Sequence, residues 1–422
     1  MNKVATQLYL LLVLFLCTKG VDIRPILNDW GIDEAVQTIE CSVLSYGAVG
    51  NGRTDDTTAI RSAFESCGKN QTDAVAVIIF PTSYTFLTGA FNISTKQIVW
   101  VEENAKILAY KGEDNFHYPL VAALPSFPIS TKKNSSPRYQ GFISSSNAEM
   151  IGISGGGTID GQGRFWWEKY DKGTLNYTRP RLVEIQYSSK ISLSSVSFEN
   201  SAFWTIHIYS SNLANISKVF IHNPIIAPNC DGIDIDSSKN VTITNCNIVT
   251  SDDHISMKSG EGVEGFQYNI STEFVLVENS YFGIGAGLSI GSETAAGIHH
   301  IHYRNNTLNL SVNAVRFKTC PNYGYAVSEV LYENIVFDGG IAVFVSEDYE
   351  CSSTSPAMPS GGYHNVTVSN MTGSAAEAGH ISCFAGGCTN FLFENITLDS
   401  LLGFRCENVT GECFNVSPRC CF

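Results

Sequence analysis

Short phrases of alternating apolar and polar residues recur down most of this chain: ISLSSVSFEN from Ile191, VTITNCNIVT from Val241, FVLVENSYF from Phe274, HHIHYRNNTLNL from His299, EVLYENIVFDG from Glu329, HNVTVSNMTG from His364 and NFLFENITLDS from Asn390. They return about every 20 to 35 residues, with polar turns between them. A phrase of this length cannot bury its apolar face alone, but a stack of equivalent phrases can. The pattern therefore predicts an all-β solenoid in which each coil covers the next. A β-sandwich also uses short strands, yet it does not explain why like phrases follow one another. Asparagine at the head of a β-branched stretch supplies hydrogen bonds at a turn and then flat strand positions.

The N-terminal part differs. In TDDTTAIRSAFESC, Thr or Asp precedes an Ala/Ile/Phe stripe, which predicts a short helix over Thr54 to Cys67. Such a helix suits the exposed end of a solenoid, which needs a cap. Before it, MNKVATQLYLLLVLFLCTKG has an early lysine, an apolar run from Leu8 to Leu16 and small residues near Gly20. This is the form of an export signal, too short in its apolar part to cross a bilayer as a helix. The expected organisation is a signal over residues 1–20 and one solenoid domain with its caps over 21–422, a secreted, extracellular or cell-wall protein with no membrane attachment after signal removal.

Of 13 cysteines, Cys17 lies in the signal, and the remaining 12 are compatible with full pairing in an oxidising compartment. Cys41 with Cys67, Cys383 with Cys388, and pairing among Cys406, Cys413, Cys420 and Cys421 are the local expectations. Zinc ligation is disfavoured by the lack of compact cysteine pairs matched with histidines. Fourteen Asn-x-Ser/Thr sequons, from Asn70 to Asn415 and including Asn134, predict some N-glycosylation. The formal charge of −14 becomes −16 when Lys3 and Lys19 leave with the signal. An acidic surface argues against nucleic acid as a partner. It leaves room for an anionic polysaccharide held by a few convergent cations. A monomer is expected.

The candidate chemistry lies in NCDGIDIDSS and SDDHISMKSG. Asp252 and Asp253 follow Asp231 by 21 and 22 residues, near one coil, and coils stack about 4.8 Å apart. Three carboxylates can then share one face, where repulsion keeps a proton on one while its neighbours stay charged. Glycosidic hydrolysis asks for that division between acid and base. The plainer alternative is a set of turn aspartates satisfying backbone donors. Arg316 and Lys318 in VRFKT stand two apart, so both face one side of a strand and can hold a uronate carboxylate. Tyr349 in FVSEDY can stack on a sugar or donate its hydroxyl. His254 points away from Asp253 in an extended strand and enters only as an auxiliary.

The phrases NGRTDDTTAI, GGGTIDGQGRFWW, SAFWTIHI, NCDGIDIDSS, SDDHISMKSG, GLSIGSE, RFK and FVSEDY together make the chain resemble glycoside hydrolase family 28, the polygalacturonase family, over nearly its whole mature length. The resemblance implies a right-handed parallel β-helix and single-displacement, inverting hydrolysis of galacturonosyl linkages in pectin without a cofactor or essential metal. It implies Asp252 as general acid, Asp231 and Asp253 as the groups that position and activate water, and Arg316, Lys318 and Tyr349 as substrate contacts. Four positions depart from the pattern, one of them Phe317, which replaces the usual aliphatic residue between Arg316 and Lys318. The usual GHG phrase is Gly285-Ala286-Gly287, Cys230 replaces a threonine, and Ser251 replaces a glycine. A rhamnogalacturonan or substituted galacturonan is thus an alternative substrate, a pectin-binding protein with weakened or lost turnover an alternative function, and a calcium-dependent pectate lyase a competing chemistry. Endo or exo action depends on loops whose paths the sequence does not specify.

Overall fold

The computed structural model describes residues 21–32, 36–69, 73–126, 137–320, 322–349 and 358–422. The export signal with Cys17, and the sequons at Asn70 and Asn134, lie outside them. The described body is a right-handed parallel β-helix: its strands pair in parallel from coil to coil, and a single sheet of 28 strands runs through the molecule. One short antiparallel pair, Leu120–Val121 with Arg138–Tyr139, stands apart from it.

The register shows why the repeated phrases fold this way. Ile206 pairs with Ile233, Ile233 with Ile255, Ile255 with Leu288, and Leu288 with Val315. Each of these side chains points inward onto its like neighbour, and the stacks join into one continuous core from Val43 to Leu398. The residues between them point out, so an outward row Glu184, His207, Asp234, Ser256, Ser289, Arg316 runs along the axis. From Ile298 onward the short strands fuse into long bent ones, Ile298–Lys318, Val327–Ser346, Tyr363–Ser382 and Cys388–Glu407.

Corners between strand pieces are turned by residues in the left-handed region, most of them asparagine: Asn240, Asn305, Asn334, Asn365, Asn370 and Asn395 lie at φ 54° to 56°. Asparagine tolerates that conformation at little cost. Its amide then bridges coils, as Asn305 donates to Asn279, Asn334 to Asn305, and Asn390 to Asn365. Several sequons are therefore corner residues with a structural reason to be asparagine.

The capping helix spans Thr57–Ser66 and seats Ile60, Ala63 and Phe64 on the end of the core. It starts later than the sequence predicts because Asn51–Asp55 is a strand, and Asp55 rather than Thr54 accepts the Thr57 amide. A second N-terminal helix, Arg24–Asp29, was not legible. It packs Ile26 and Leu27 on the outer face of the sheet against Val75, Val77 and Ile98. No described helix is long and apolar enough to cross a membrane.

Four disulfides close among the described residues: Cys41–Cys67, Cys383–Cys388, Cys406–Cys421 and Cys413–Cys420. Cys320 is also disulfide-bonded. Full pairing does not hold, because Cys230 and Cys246 are buried free thiols. Each fills space as a small apolar side chain, Cys230 against Trp167 and Ala227 and Cys246 within the coil core. Burial pushes the Cys246 thiol up to about 11, which keeps it unreactive at neutral pH.

Ile243 sits at the centre of such a stack, between Ile216 and Val277, with no exposure. Ile243→Ala leaves a hole that neighbouring coils cannot close, at a cost of about 2–5 kcal/mol. Thermal and urea unfolding of the purified variant measure it, and a loss below about 1 kcal/mol would mean that the coils slide to fill the gap.

Candidate active site

Strands Ile233–Asp236 and Ile255–Lys258 pair directly, Ile233 opposite Ile255. Asp231 and Asp253, each two residues before its strand, consequently occupy equivalent positions on adjacent coils, and the Gly232 amide donates to the Asp253 carbonyl at 2.8 Å. Asp252 precedes by one residue and its carboxylate accepts the Asp253 amide at 2.9 Å. Oxygens of Asp231, Asp252 and Asp253 all lie within 4.8 Å of one another. Asp252 is partly exposed, whereas Asp231 and Asp253 are buried.

The three carboxyls are electrostatically unequal. Arg316 Nη1 and Ser289 Oγ each donate to Asp253 Oδ1 at 2.7 Å, and Lys318 Nζ pairs with its other oxygen at 2.8 Å. Burial alone would raise this carboxyl, but Lys318, Arg316 and Lys258 overcome it and hold Asp253 far below the usual range. Asp252 moves the other way, raised by burial and then by the Asp253 anion. Asp231 is raised well above the carboxylate range by burial and by Asp234, Asp252 and Asp253. The cluster thus combines a fixed anion with neighbours whose proton affinity is raised, the division that acid/base chemistry needs.

Arg316 and Lys318 belong to the same strand and reach Asp253 from two coils away. Tyr349 closes over both. Its hydroxyl accepts from Arg316 Nη2 at 3.3 Å, and the two cations lie 5.6 and 5.3 Å from its ring centre. The structure therefore brings six of the seven candidate residues together. His254 is turned elsewhere. Its Nε2–H faces the carbonyls of Gly283 and Ile284 at 3.0 and 3.2 Å, its ring lies against Phe282, and it bonds to none of the aspartates. Burial pulls its pKa down to about 4.

Ala286 stands two residues before Leu288, the position equivalent to Asp231 and Asp253 on the next coil. Its amide donates to the Asp252 carbonyl at 2.7 Å, and it offers a methyl beside the carboxyl cluster. Gly285 is required by His254: a Cβ there would stand 2.3 Å from the imidazole Nε2.

Sequence reasoning missed the charges under the groove floor. Lys258 Nζ pairs with Glu293 at 2.7 Å, lies 3.6 Å from Asp234 and sits 4.7 Å from the Trp204 ring centre. One coil further, buried Glu184 pairs with Arg138 at 2.7 Å and Arg181 at 3.1 Å. The signal existed: in GIDID and HISMK the apolar residues alternate with Asp234, Asp236 and Lys258, so those charges must face outward.

A cation fits this constellation poorly. Asp253 already pairs with two cations, Arg316 and Lys318, which a metal ion would have to displace. Glu347 with Cys383 and Cys388 also form a compact group, but those cysteines are joined in a disulfide and offer no thiolate.

Comparison with known proteins gives the family. Residues 106–421 match the profile described as glycosyl hydrolases family 28, and the chain belongs to that family. A probable polygalacturonase of Vitis vinifera is 28% identical over 395 residues, covering 90% of this chain and 79% of the relative. An endo-polygalacturonase of Pectobacterium parmentieri is 30% identical, covering 66% and 68%. The solved exopolygalacturonase of Thermotoga maritima superposes with a TM-score of 0.71 at 22% identity, covering 93% of this chain and 95% of the other.

Two outcomes follow. Asp234 is buried and raised to about 8, chiefly by desolvation, so its protonated form stabilises the fold below the ordinary carboxylate pKa, and that contribution is lost as pH rises through about 8. Asp234→Asn, which mimics the neutral acid, is expected to flatten the fall in melting temperature between the ordinary carboxylate pKa and about pH 8; an unchanged slope would show that Asp234 is already ionised. His254→Ala is expected to lower the melting temperature yet leave both limbs of the pH profile of kcat/KM in place, and a displaced limb would put the imidazole in the proton relay.

Proposed function

We propose that this protein is an exported hydrolase of the galacturonan backbone of pectin, working by direct displacement with water and inversion. Asp252 is the general acid, because it is the one carboxyl of the three that is both raised and reachable from solvent. Asp231 and Asp253 position and activate the water: Asp253, the anion, takes its proton, and Asp231 holds it in place. The observation that carries the reading is three carboxyls packed within 4.8 Å, of which Asp253 alone is paired with Arg316 and Lys318.

Inversion rests on a second argument. Acid and base in inverting enzymes usually stand about 6.5–9.5 Å apart, against about 5–5.5 Å when one carboxylate is the nucleophile. The short spacing here would by itself favour a nucleophile. Asp253 is the fixed anion, however, and it is buried with both oxygens engaged by Arg316, Lys318 and Ser289. A carboxylate so held is a poor nucleophile, and water beside it is the better one. Arg316 also retains partial exposure and, with Lys318, supplies the positive field for a sugar carboxylate. Tyr349 provides a ring for the adjacent sugar. The closed disulfides support export to an oxidising compartment.

Ala286 favours a second reading, a pectin-binding member with reduced turnover or a hydrolase of a rhamnogalacturonan or substituted galacturonan. A methyl beside Asp252 neither orients the acid nor fills the space a larger side chain would take.

The test is incubation of the purified protein with polygalacturonate in EDTA, following reducing ends, ultraviolet absorbance of unsaturated products and the anomer formed first by NMR. Reducing ends without unsaturation, inverted at the anomeric carbon and lowered about 10²–10⁴-fold in Asp252→Asn, are expected. Unsaturated products lost in EDTA would establish a lyase, a retained anomer would make a carboxylate the nucleophile, and polymer binding without new ends would favour the second reading.

A further inference from the structure

The groove floor is open on one side of the aspartates and sealed on the other. Toward the C-terminus the outward row continues through Arg316, Phe344 and His380, each partly exposed, to exposed Arg405. Toward the N-terminus the same row passes through Asp234 and His207, and the parallel row through Asp236 and Tyr209, all without exposure.

Three elements build the seal. Trp204, two residues before Ile206, occupies the position of Asp231 one coil earlier. Its indole lies between Arg181 and Lys258, each 4.7 Å from the ring, and is itself buried, so the floor is already covered one coil from the carboxyl cluster. Over the second row, the segment ending at Ser126 crosses the floor: the Ser126 hydroxyl donates to Asp236, and the Pro125 carbonyl accepts the Glu261 amide at 3.3 Å. The helix Gly262–Tyr268 closes the far edge, with the Tyr268 ring stacked on Tyr209 and its hydroxyl 2.5 Å from Ser210 Oγ. Beyond this seal lies a separate recess of about 290 Å³ lined by residues including Arg138, Gln140, Glu184 and Tyr187.

The cover begins one coil rise, about 4.8 Å, from the Asp231 position, so little more than one sugar residue fits above the floor on that side. We infer that this protein takes its polymer end-on, with one terminal galacturonate lodged against the cover that lies over the Trp204 coil and the rest of the chain along Arg316, Phe344 and His380, and releases monosaccharide. This deepens the galacturonan-hydrolase reading and rests on it. Phe344, one coil beyond Arg316 in the same row, is the platform for a further sugar of the bound chain.

Two measurements with the whole protein test the inference. The first follows wild-type cleavage of polygalacturonate by product length and viscosity. Galacturonate is expected as the product at every time point, with viscosity falling slowly relative to bonds cut. The second needs no turnover: Asp252→Asn protein is titrated with polygalacturonate of defined length, and one protein per chain is expected. Oligomers of intermediate length with a rapid fall in viscosity, or many proteins per chain, would overturn the end-on mode while leaving the hydrolase reading intact. Absence of both reducing ends and binding would overturn the hydrolase reading and the end-on mode with it.

Discussion

Parallel pairing of one coil on the next, at a rise of about 4.8 Å, is the constraint on which the rest of this molecule depends. It places Asp231 and Asp253 at one address on neighbouring coils although 22 residues separate them, and it brings Ser289, Arg316 and Lys318 from the following two coils onto the same carboxylate. No loop has to be folded into position for this. A slip of one residue in register would turn every outward charge into the core, so the buried isoleucine stacks that hold the register also hold the chemistry.

That geometry sets up a conflict which the groove resolves with cations. Packing acids at a coil's spacing in a buried site is unfavourable in proportion to how many ionise. The protein carries a formal charge of −14, yet beneath the groove it gathers Lys258, Arg316 and Lys318, and further along Arg138 and Arg181. Asp253 is kept as an anion by three of these cations, and its charge in turn helps keep Asp252 protonated. Buried ion pairs of this kind contribute little to stability against an apolar alternative. Their persistence here is understandable as electrostatic preorganisation, a field set in advance of the substrate.

Sealing one end of the groove uses different material. Trp204 belongs to a coil, but Ser126 and the helix Gly262–Tyr268 come from insertions between strands. The stack thus supplies the reacting groups, and the insertions set how much of a polymer reaches them. The Ala286 methyl lies at the boundary between the two, on a coil position adjoining the cleft.

The sequence by itself determined the solenoid and most of the site, because both are periodic. Alternation marks each coil, and a separation near one coil is enough to bring Asp231, Asp252 and Asp253 together, while spacing by two puts Arg316 and Lys318 on one side. Cys41–Cys67 and Cys383–Cys388 were legible as pairs because each closes within local reach, whereas among Cys406, Cys413, Cys420 and Cys421 only some pairing was legible; the capping helix was legible to within a few residues. The sequence also shows asparagine recurring at strand heads, where the structure finds left-handed corners such as Asn305 and Asn365. Only the tertiary structure decided the rest. That Cys230 and Cys246 stay apart, that His254 turns to backbone carbonyls, that Arg316 and Lys318 are both committed to Asp253, and that Ser126 crosses to Asp236 all depend on contacts between segments of unrelated spacing. Periodicity says which residues share a face; it carries no record of what an insertion lays across that face or of which partner a buried charge takes.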